Sequence, residues 1–334
     1  STLFPYTTLF RSRSNDIDMT GIGMQPGNDK DTRFHGILDG QGYALNNLYI
    51  AHYAENTGIF GAIDGATVKN LKVTGEYYSD SKFIGGITGY TYGDCVIDNC
   101  DVAVKMYSTV DGDGTHGGLI GVNETAGTVV SNCLVNCPMF GESTNSCGGV
   151  IGWSSAASTV KNTLILTQSG TISSSSCNTV SRNPDNCTVS NVFYVLQLGD
   201  AKGTKVTDEQ LASGEVAYKL NDSQSENVAW FQTIGTDVTP RLFEGATVYF
   251  YGGKYINEQP NPQLNAFAFN LEANVVGSNV VVKFNLNAEA EAAEIRFFNG
   301  ELMVYKEDVP AGNLCPGAHT VNVDASKLPA DPTT

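Results

Sequence analysis

The chain has 334 residues, of which 41% are hydrophobic and 16% charged, and its 35 acidic and 19 basic residues give a net charge of −16. That length admits more than one domain, and few charges with abundant glycine favour short strands and turns over long helices. Acidic residues outnumber basic ones in every region, which argues against binding nucleic-acid phosphates or polyanionic sugars, and no apolar run reaches the roughly 18 residues of a membrane-spanning helix.

The first residues stand apart. Thr2-Leu3-Phe4-Pro5-Tyr6-Thr7-Thr8-Leu9-Phe10-Arg11-Ser12 resembles the in-frame translation of a short-read sequencing adapter. Residues 1–12 are therefore expected to be an artefact outside the fold; the alternative is an apolar N-terminal strand. The run Lys327–Thr334 stops where a final strand is expected, so the sequence reads as a fragment.

From residue 34 onward a motif returns about every 30 residues. It reads Gly58-Ile59-Phe60-Gly61, Gly86-Ile87-Thr88-Gly89, Gly118-Leu119-Ile120-Gly121 and Gly149-Val150-Ile151-Gly152. After each copy comes an aliphatic–polar–asparagine tripeptide: Val68-Lys69-Asn70, Ile97-Asp98-Asn99, Val130-Ser131-Asn132 and Val160-Lys161-Asn162, with a fifth at Val189-Ser190-Asn191. A degenerate earlier unit reads Gly36-Ile37-Leu38-Asp39-Gly40 and Leu45-Asn46-Asn47-Leu48. Period-two alternation around these markers indicates short strands, and a repeat of this length indicates coils stacked in parallel, with equivalent residues in columns. The glycines either leave room for a tight turn or supply positive φ. The apolar pair between them faces inward, and the asparagines are expected to hydrogen-bond from rung to rung. The next column, Leu71, Cys100, Cys133, Thr163 and Val192, is expected to be interior. Cys100 and Cys133 then read as buried small hydrophobes, the alternative being a disulfide between rungs.

These motifs, headed by Phe34-His35-Gly36-Ile37-Leu38-Asp39-Gly40, resemble the GLUG-type repeats of bacterial surface proteins over roughly residues 30–195. The resemblance implies a parallel β-helix on a secreted or surface-anchored protein, as in adhesins and some large surface peptidases. In those peptidases the activity lies outside the repeats, so it does not transfer.

Thr207-Asp208-Glu209-Gln210 reads as a capping box opening a helix whose apolar face is Leu211, Val216, Ala217 and Leu220, interrupted at Gly214. The run Ala217-Tyr218-Lys219-Leu220-Asn221, followed by Trp230-Phe231-Gln232 and Gly235-Thr236-Asp237, resembles a closing segment found after such repeats in Bacteroidetes-type surface proteins. It is expected to cover the last coil and its open strand edge. The other reading makes Trp230 and Phe231 a sugar-stacking platform. After a polar linker, runs at 266–271, 279–286, 293–298 and 319–324 read as strands of a β-sandwich; the run from Val282 through Leu286-Asn287-Ala288 to Ile295, with Gly317 and the ending from Asp324 to Pro329, resembles a small immunoglobulin-like module. The expected organisation is thus all-β: an artefact at 1–12, a GLUG-type parallel β-helix at 13–196, a capping helix/loop segment at 197–256, a linker at 257–263, and a truncated Ig-like β-sandwich at 264–334.

Candidate sites are sparse. Tyr77, Tyr78, Tyr90, Tyr92 and Tyr107 would offer stacking contacts if they point outward; the competing reading is core packing. Asp111-Gly112-Asp113-Gly114 resembles the start of a calcium loop but lacks the later bidentate carboxylate, so Asp111 and Asp113 read first as a turn. Asp98 and Asp101 are placed near each other on an exposed face. The eight cysteines form no CxxC pair, and the four histidines, His35, His52, His116 and His319, form no metal or triad motif. The expected protein is a non-catalytic, extracellular or cell-surface adhesin-like molecule without a cofactor. It would present a face to a host glycan or surface protein, or act as a spacer. A polysaccharide-active glycoside hydrolase or lyase on the same scaffold is the alternative, and it requires facing carboxylates.

Overall fold

The computed structural model describes residues 17–18, 32–52, 54–110, 113–141, 145–168, 176–260 and 266–329. The expectation for residues 1–12 lies outside the described residues. The chain divides into two compact units, Ser1–Gln259 and Pro260–Thr334.

In chain order the first unit contains β1 (Ile17–Asp18), β2 (Ile37–Asp39), β3 (Ala44–His52), β4 (Phe60–Asp64), β5 (Thr67–Ser79), β6 (Thr88–Tyr92), β7 (Val96–Ser108) and β8 (Ile120–Asn123). It continues with β9 (Thr128–Ser131), β10 (Leu134–Val135), β11 (Met139–Phe140), β12 (Ile151–Ser154), β13 (Ser158–Ile165), β14 (Cys187–Tyr194) and β15 (Thr204–Lys205). These strands form a parallel β-solenoid, as the repeat requires. A wide sheet runs β1-β3-β5-β7-β10-β13-β14-β15, and a narrow one runs β12-β8-β6-β4. Equivalent residues pair in register: Leu38, Val68, Ile97, Val130, Val160 and Val189 form one column. The residues between the paired glycines are buried in all four copies, as is the column Leu71, Cys100, Cys133, Thr163 and Val192. Cys100 and Cys133 are free thiols.

Of the two roles open to the motif glycines, leaving room is the one they fill. None of the motif glycines from Gly85 to Gly152 has positive φ; each is small because another backbone passes through the place of its side chain. At Gly86 a methyl carbon would fall on the carbonyl oxygen of Gly118 and 2.7 Å from Val102 Cγ1. At Gly121 it would fall 2.7 Å from the carbonyl carbon of Phe83. Positive φ belongs instead to the asparagines, between 48° and 53° at Asn70, Asn99, Asn132, Asn162 and Asn191. Asparagine is the non-glycine residue that tolerates this left-handed corner best. The corner resets the alternation, so the residue after each asparagine points inward.

The rung-to-rung amide ladder is interrupted. Asn99 Nδ2 donates to Asn70 Oδ1 (2.8 Å) and Asn191 Nδ2 to Asn162 Oδ1 (2.9 Å). Asn132 Nδ2 turns instead to the Asp98 carboxylate (2.9 Å), which also accepts from Ser131 Oγ (2.6 Å), because a charged acceptor outcompetes an amide oxygen. The first coil also differs from the expected unit. Its corner is Asp39–Gly42, with Gln41 at φ 52° and Asp39 accepting from Asn70 (3.0 Å). Burial acts to raise the Asp39 pKa, but hydrogen bonds from Asn70 and the Gln41 N–H, with Lys69 nearby, hold it below the ordinary range. Asn46 and Asn47 form a bulge in β3 opposite Thr74.

The segment after the last coil closes the end with few residues and spends the rest on the side. Leu198 joins the solenoid core with Ala201 packed against it, Lys202 Nζ donates to the Pro184 and Cys187 carbonyls, and β15 pairs with the end of β14. Two short helices follow, α1 (Asp208–Ala212), opened by the expected Thr207/Gln210 capping box, and α2 (Glu215–Leu220), preceded by Gly214 at φ 89°. They lead to β16 (Trp230–Phe231) paired with β17 (Arg241–Leu242), and then to the hairpin β18 (Tyr249–Tyr251) and β19 (Lys254–Ile256). Leu211, Val216, Leu220, Trp230 and Leu242 pack on Leu134, Leu164 and Phe193, side chains that point out of the wide sheet. Trp230 is fully buried and its Nε1 donates to the Asn162 carbonyl (3.2 Å). It is therefore the anchor of a lateral clasp and not a stacking platform.

The second unit contains β20 (Ala268–Val276), β21 (Asn279–Leu286), β22 (Glu294–Asn299), β23 (Leu302–Asp308) and β24 (Gly317–Asp324). Antiparallel sheets β20-β21-β24 and β22-β23 share a core of Val280, Val282, Phe284, Leu286, Val321 and Val323, with Ile295, Phe297 and Tyr305 packed against it. Strand β23 went unread in the sequence.

Candidate functional site

A shallow groove of about 490 Å³ opens on the outer face of the wide sheet, lined by Asn47, Leu48, Tyr49, Thr74, Gly75, Glu76, Ala103 and Lys105. The bulge in β3 makes it. Asn47 adopts φ 57° and its N–H donates to Thr74 Oγ1 (3.1 Å). The extra residue brings the Leu48 carbonyl over Gly75, where any side chain would collide with it. The floor is thus small residues, and the bulge re-aims Tyr49 outward, a recurrent use of such irregularities.

One lining residue, Tyr49, is aromatic, and it heads a ladder of rings that continues outside the groove. Tyr49, Tyr78, Tyr107 and Phe140 form a ladder across successive coils, with ring centroids 5.4, 4.7 and 5.2 Å apart. Beside it, Glu76 accepts from the Tyr78 hydroxyl (3.0 Å) and pairs with Lys105 (3.4 Å). The hydrogen bond to Glu76, with some burial, raises the Tyr78 pKa. Glu76 and Lys105 are both well exposed, so their pairing alone adds little stability.

The five tyrosines named as stacking candidates fall into three environments. Tyr78 and Tyr107 belong to the ladder. Tyr77 is fully buried and its hydroxyl donates to the Gly86 carbonyl (3.0 Å); burial pushes its pKa far up. The physical reason is strand alternation: counted from the reset at Asn70, Leu71, Val73 and Tyr77 point in, and Tyr78 points out. Tyr90 and Tyr92 lie on the narrow sheet, half-buried and stacked on each other at 5.6 Å. Phe83 meets Tyr90 edge-on and the Arg33 guanidinium lies 3.4 Å over Tyr92. Burial raises Tyr90 to about 12, and it raises Tyr92 against the opposing effect of Arg33. Their faces are used within the protein. Tyr49, Glu76 and Lys105 escaped the sequence reading; alternation from Asn70 and Asn99 places Glu76 and Lys105 outward, whereas Tyr49 depends on the bulge.

The acidic candidates are also resolved. Asp111 lies outside the described residues. Asp113 pairs with Arg182 (2.8 Å) and accepts from Thr115 (2.8 Å), so its charge is met by a guanidinium and not left for a cation. No cluster of metal-ligating residues occurs among the described residues. Asp98 is committed to Ser131 and Asn132. Asp101 has its pKa raised by burial, with Lys72 opposing. The two face outward on either side of the Asn99 corner, and neither lines the groove.

His116 is fully buried in the solenoid. Its Nδ1 accepts the Ile84 N–H (3.2 Å), and its Nε2 has no partner among the described residues. Burial lowers its pKa from 6.5 to about 3, Asp113 opposing. The folded ring stays neutral where an unfolded one takes up a proton. The stability it holds is therefore complete above about pH 6.5 and is lost as pH falls towards 3, at up to about 1.4 kcal/mol per pH unit. A His116→Gln variant is expected to show a flatter fall of melting temperature between those pH values than the parent; parallel curves would refute the assignment.

No helix among the described residues is long and apolar enough to cross a membrane. No protein-family model matches the chain. Over 100 residues it is 36% identical to a candidate Gly-rich membrane protein of Evansella cellulosilytica, covering 27% of this chain and 11% of that one. Over 114 residues it is 33% identical to the halomucin of Haloquadratum walsbyi, covering 31% of this chain and 1% of that one. Among solved structures it is similar to a candidate immunoglobulin A1 protease from Bacteroides ovatus, at 15% identity and a TM-score of 0.45, covering 69% of this chain and 84% of that one; so low a likeness carries no functional argument. The alignments span 11% and 1% of the two curated relatives, a small part of each.

Proposed function

We propose that this chain is part of an extracellular, surface-displayed GLUG-type repeat protein whose solenoid binds glycans without cleaving them. The groove at the end of the aromatic ladder carries the reading: it sets the Tyr49 ring beside an acceptor–donor pair, the combination that suits a ligand with one apolar face and many hydroxyls. The names of the two partial relatives, a membrane protein and a halomucin, fit a surface setting. The polysaccharide-cleaving alternative is disfavoured at this site because Glu76 is the one carboxylate in the lining and already faces Lys105, whereas glycoside hydrolysis uses two.

The test is to present the full chain to a printed glycan panel and to assay the same sugars for product release. Retention without release is the expected result. Release of shorter products would favour the enzyme, and no retention at all would leave a spacer.

A further inference from the structure

Building on the glycan-binding reading above, we infer that the groove is a subsite for one uncharged pyranose unit, with the open face of Tyr49 as its platform and the Glu76–Lys105 pair as its hydroxyl clamp.

The ladder itself singles out Tyr49. Tyr78 lies between Tyr49 and Tyr107, and Tyr107 lies between Tyr78 and Phe140, at interplanar angles of 9° and 18° to Tyr78 and Phe140 respectively. Inner rings stacked in this way have no face left for a ligand. Among the described residues no further ring stacks on either end, and of the two ends Tyr49 lines the groove and Phe140 does not. Tyr49 is tilted 42° from Tyr78 and is 47% exposed, the largest exposure in the ladder. A sugar whose C–H face rests on this ring has its edge over Thr74, Gly75 and Ala103, whose small side chains leave the space.

The polar groups are arranged before any ligand arrives. Tyr78 and Lys105 hold the two Glu76 carboxylate oxygens from different sides, so an acceptor and a donor stand 3.4 Å apart beside the platform. Neighbouring hydroxyls of one ring can address both, donating to Glu76 and accepting from Lys105, with little ordering cost to the protein. The charges decide the class of sugar. One carboxylate and one ammonium cancel locally, within a chain of net charge −16. A sialic or uronic acid unit would gain Lys105 but meet Glu76 and the acidic field of the molecule.

The experiment uses the full chain on immobilised neutral, sialylated and uronate oligosaccharides, followed by Tyr49→Ala, Tyr49→Phe, Glu76→Gln and Phe140→Ala. Binding is expected to neutral sugars and to be insensitive to added salt. It should weaken about tenfold or more in Tyr49→Ala and Glu76→Gln, and hold in Tyr49→Phe, which keeps the ring, and in Phe140→Ala. Preference for sialylated or uronate sugars, lost on adding salt, would overturn the uncharged-ligand inference while leaving glycan binding intact. Neutral binding unchanged in all four variants would overturn the placement in the groove. Absence of glycan binding by the parent would overturn the underlying reading as well.

Discussion

Gly118→Ala is expected to destabilise the solenoid by about 3 kcal/mol, at the upper end of the overpacking range. The added carbon would lie within the Gly149 carbonyl oxygen and 2.6 Å from Val135 Cγ1. Neither can retreat. The carbonyl belongs to the next rung, whose Val150 oxygen accepts from both Leu119 (2.9 Å) and Ile120 (3.1 Å), and Val135 is fully buried. Separating the rungs to admit one methyl group would stretch hydrogen bonds across the narrow sheet. Gly65→Ala is the control. Gly65 has φ 56° and open space around it, so the same chemical change should cost about 1 kcal/mol through backbone conformation alone. Urea unfolding of parent and variants compares the two, and equal midpoints for both variants would refute the close-approach account.

Trp230→Ala is expected to cost about 3–5 kcal/mol, the range for emptying a buried aromatic site. The effect should be regional. Trp230 joins the clasp to the stack through the apolar cluster it shares with Leu164 and Phe193 and its hydrogen bond to Asn162. The Asn221 side chain pins its backbone from the other side, with Nδ2 donating to the Trp230 carbonyl (2.8 Å) and Oδ1 accepting its N–H (3.0 Å). Without the indole, limited proteolysis should cut within residues 206–256 well before the coils, while far-ultraviolet circular dichroism retains the β-sheet signal. Loss of both together would show that the clasp and coils unfold as one cooperative unit.

The lateral position of the clasp was written in the chain without being read. The column that leaves the wide sheet just past each asparagine corner runs Lys72, Asp101, Leu134, Leu164, Phe193. It changes from charged to apolar halfway down the stack. Outward leucines on successive coils need a cover, and residues 206–256 supply it. Tyr77 and Tyr78 carry a similar lesson: grouping tyrosines by type merged one core residue with one surface residue that strict alternation from Asn70 separates.

The sequence by itself determined the solenoid, because a repeat of glycine and asparagine markers can be satisfied only by stacking equivalent residues in register. It also determined the inward pairs between the glycines and the buried column after each asparagine, since these follow from local alternation. Tertiary structure alone decided what the markers do, which side the clasp covers and where the groove lies. Whether a glycine is required for space or for φ depends on the neighbouring rung, about 30 residues away in the chain. The groove exists because one bulge in β3 meets Gly75 in β5, a coincidence between two coils that no single repeat unit records.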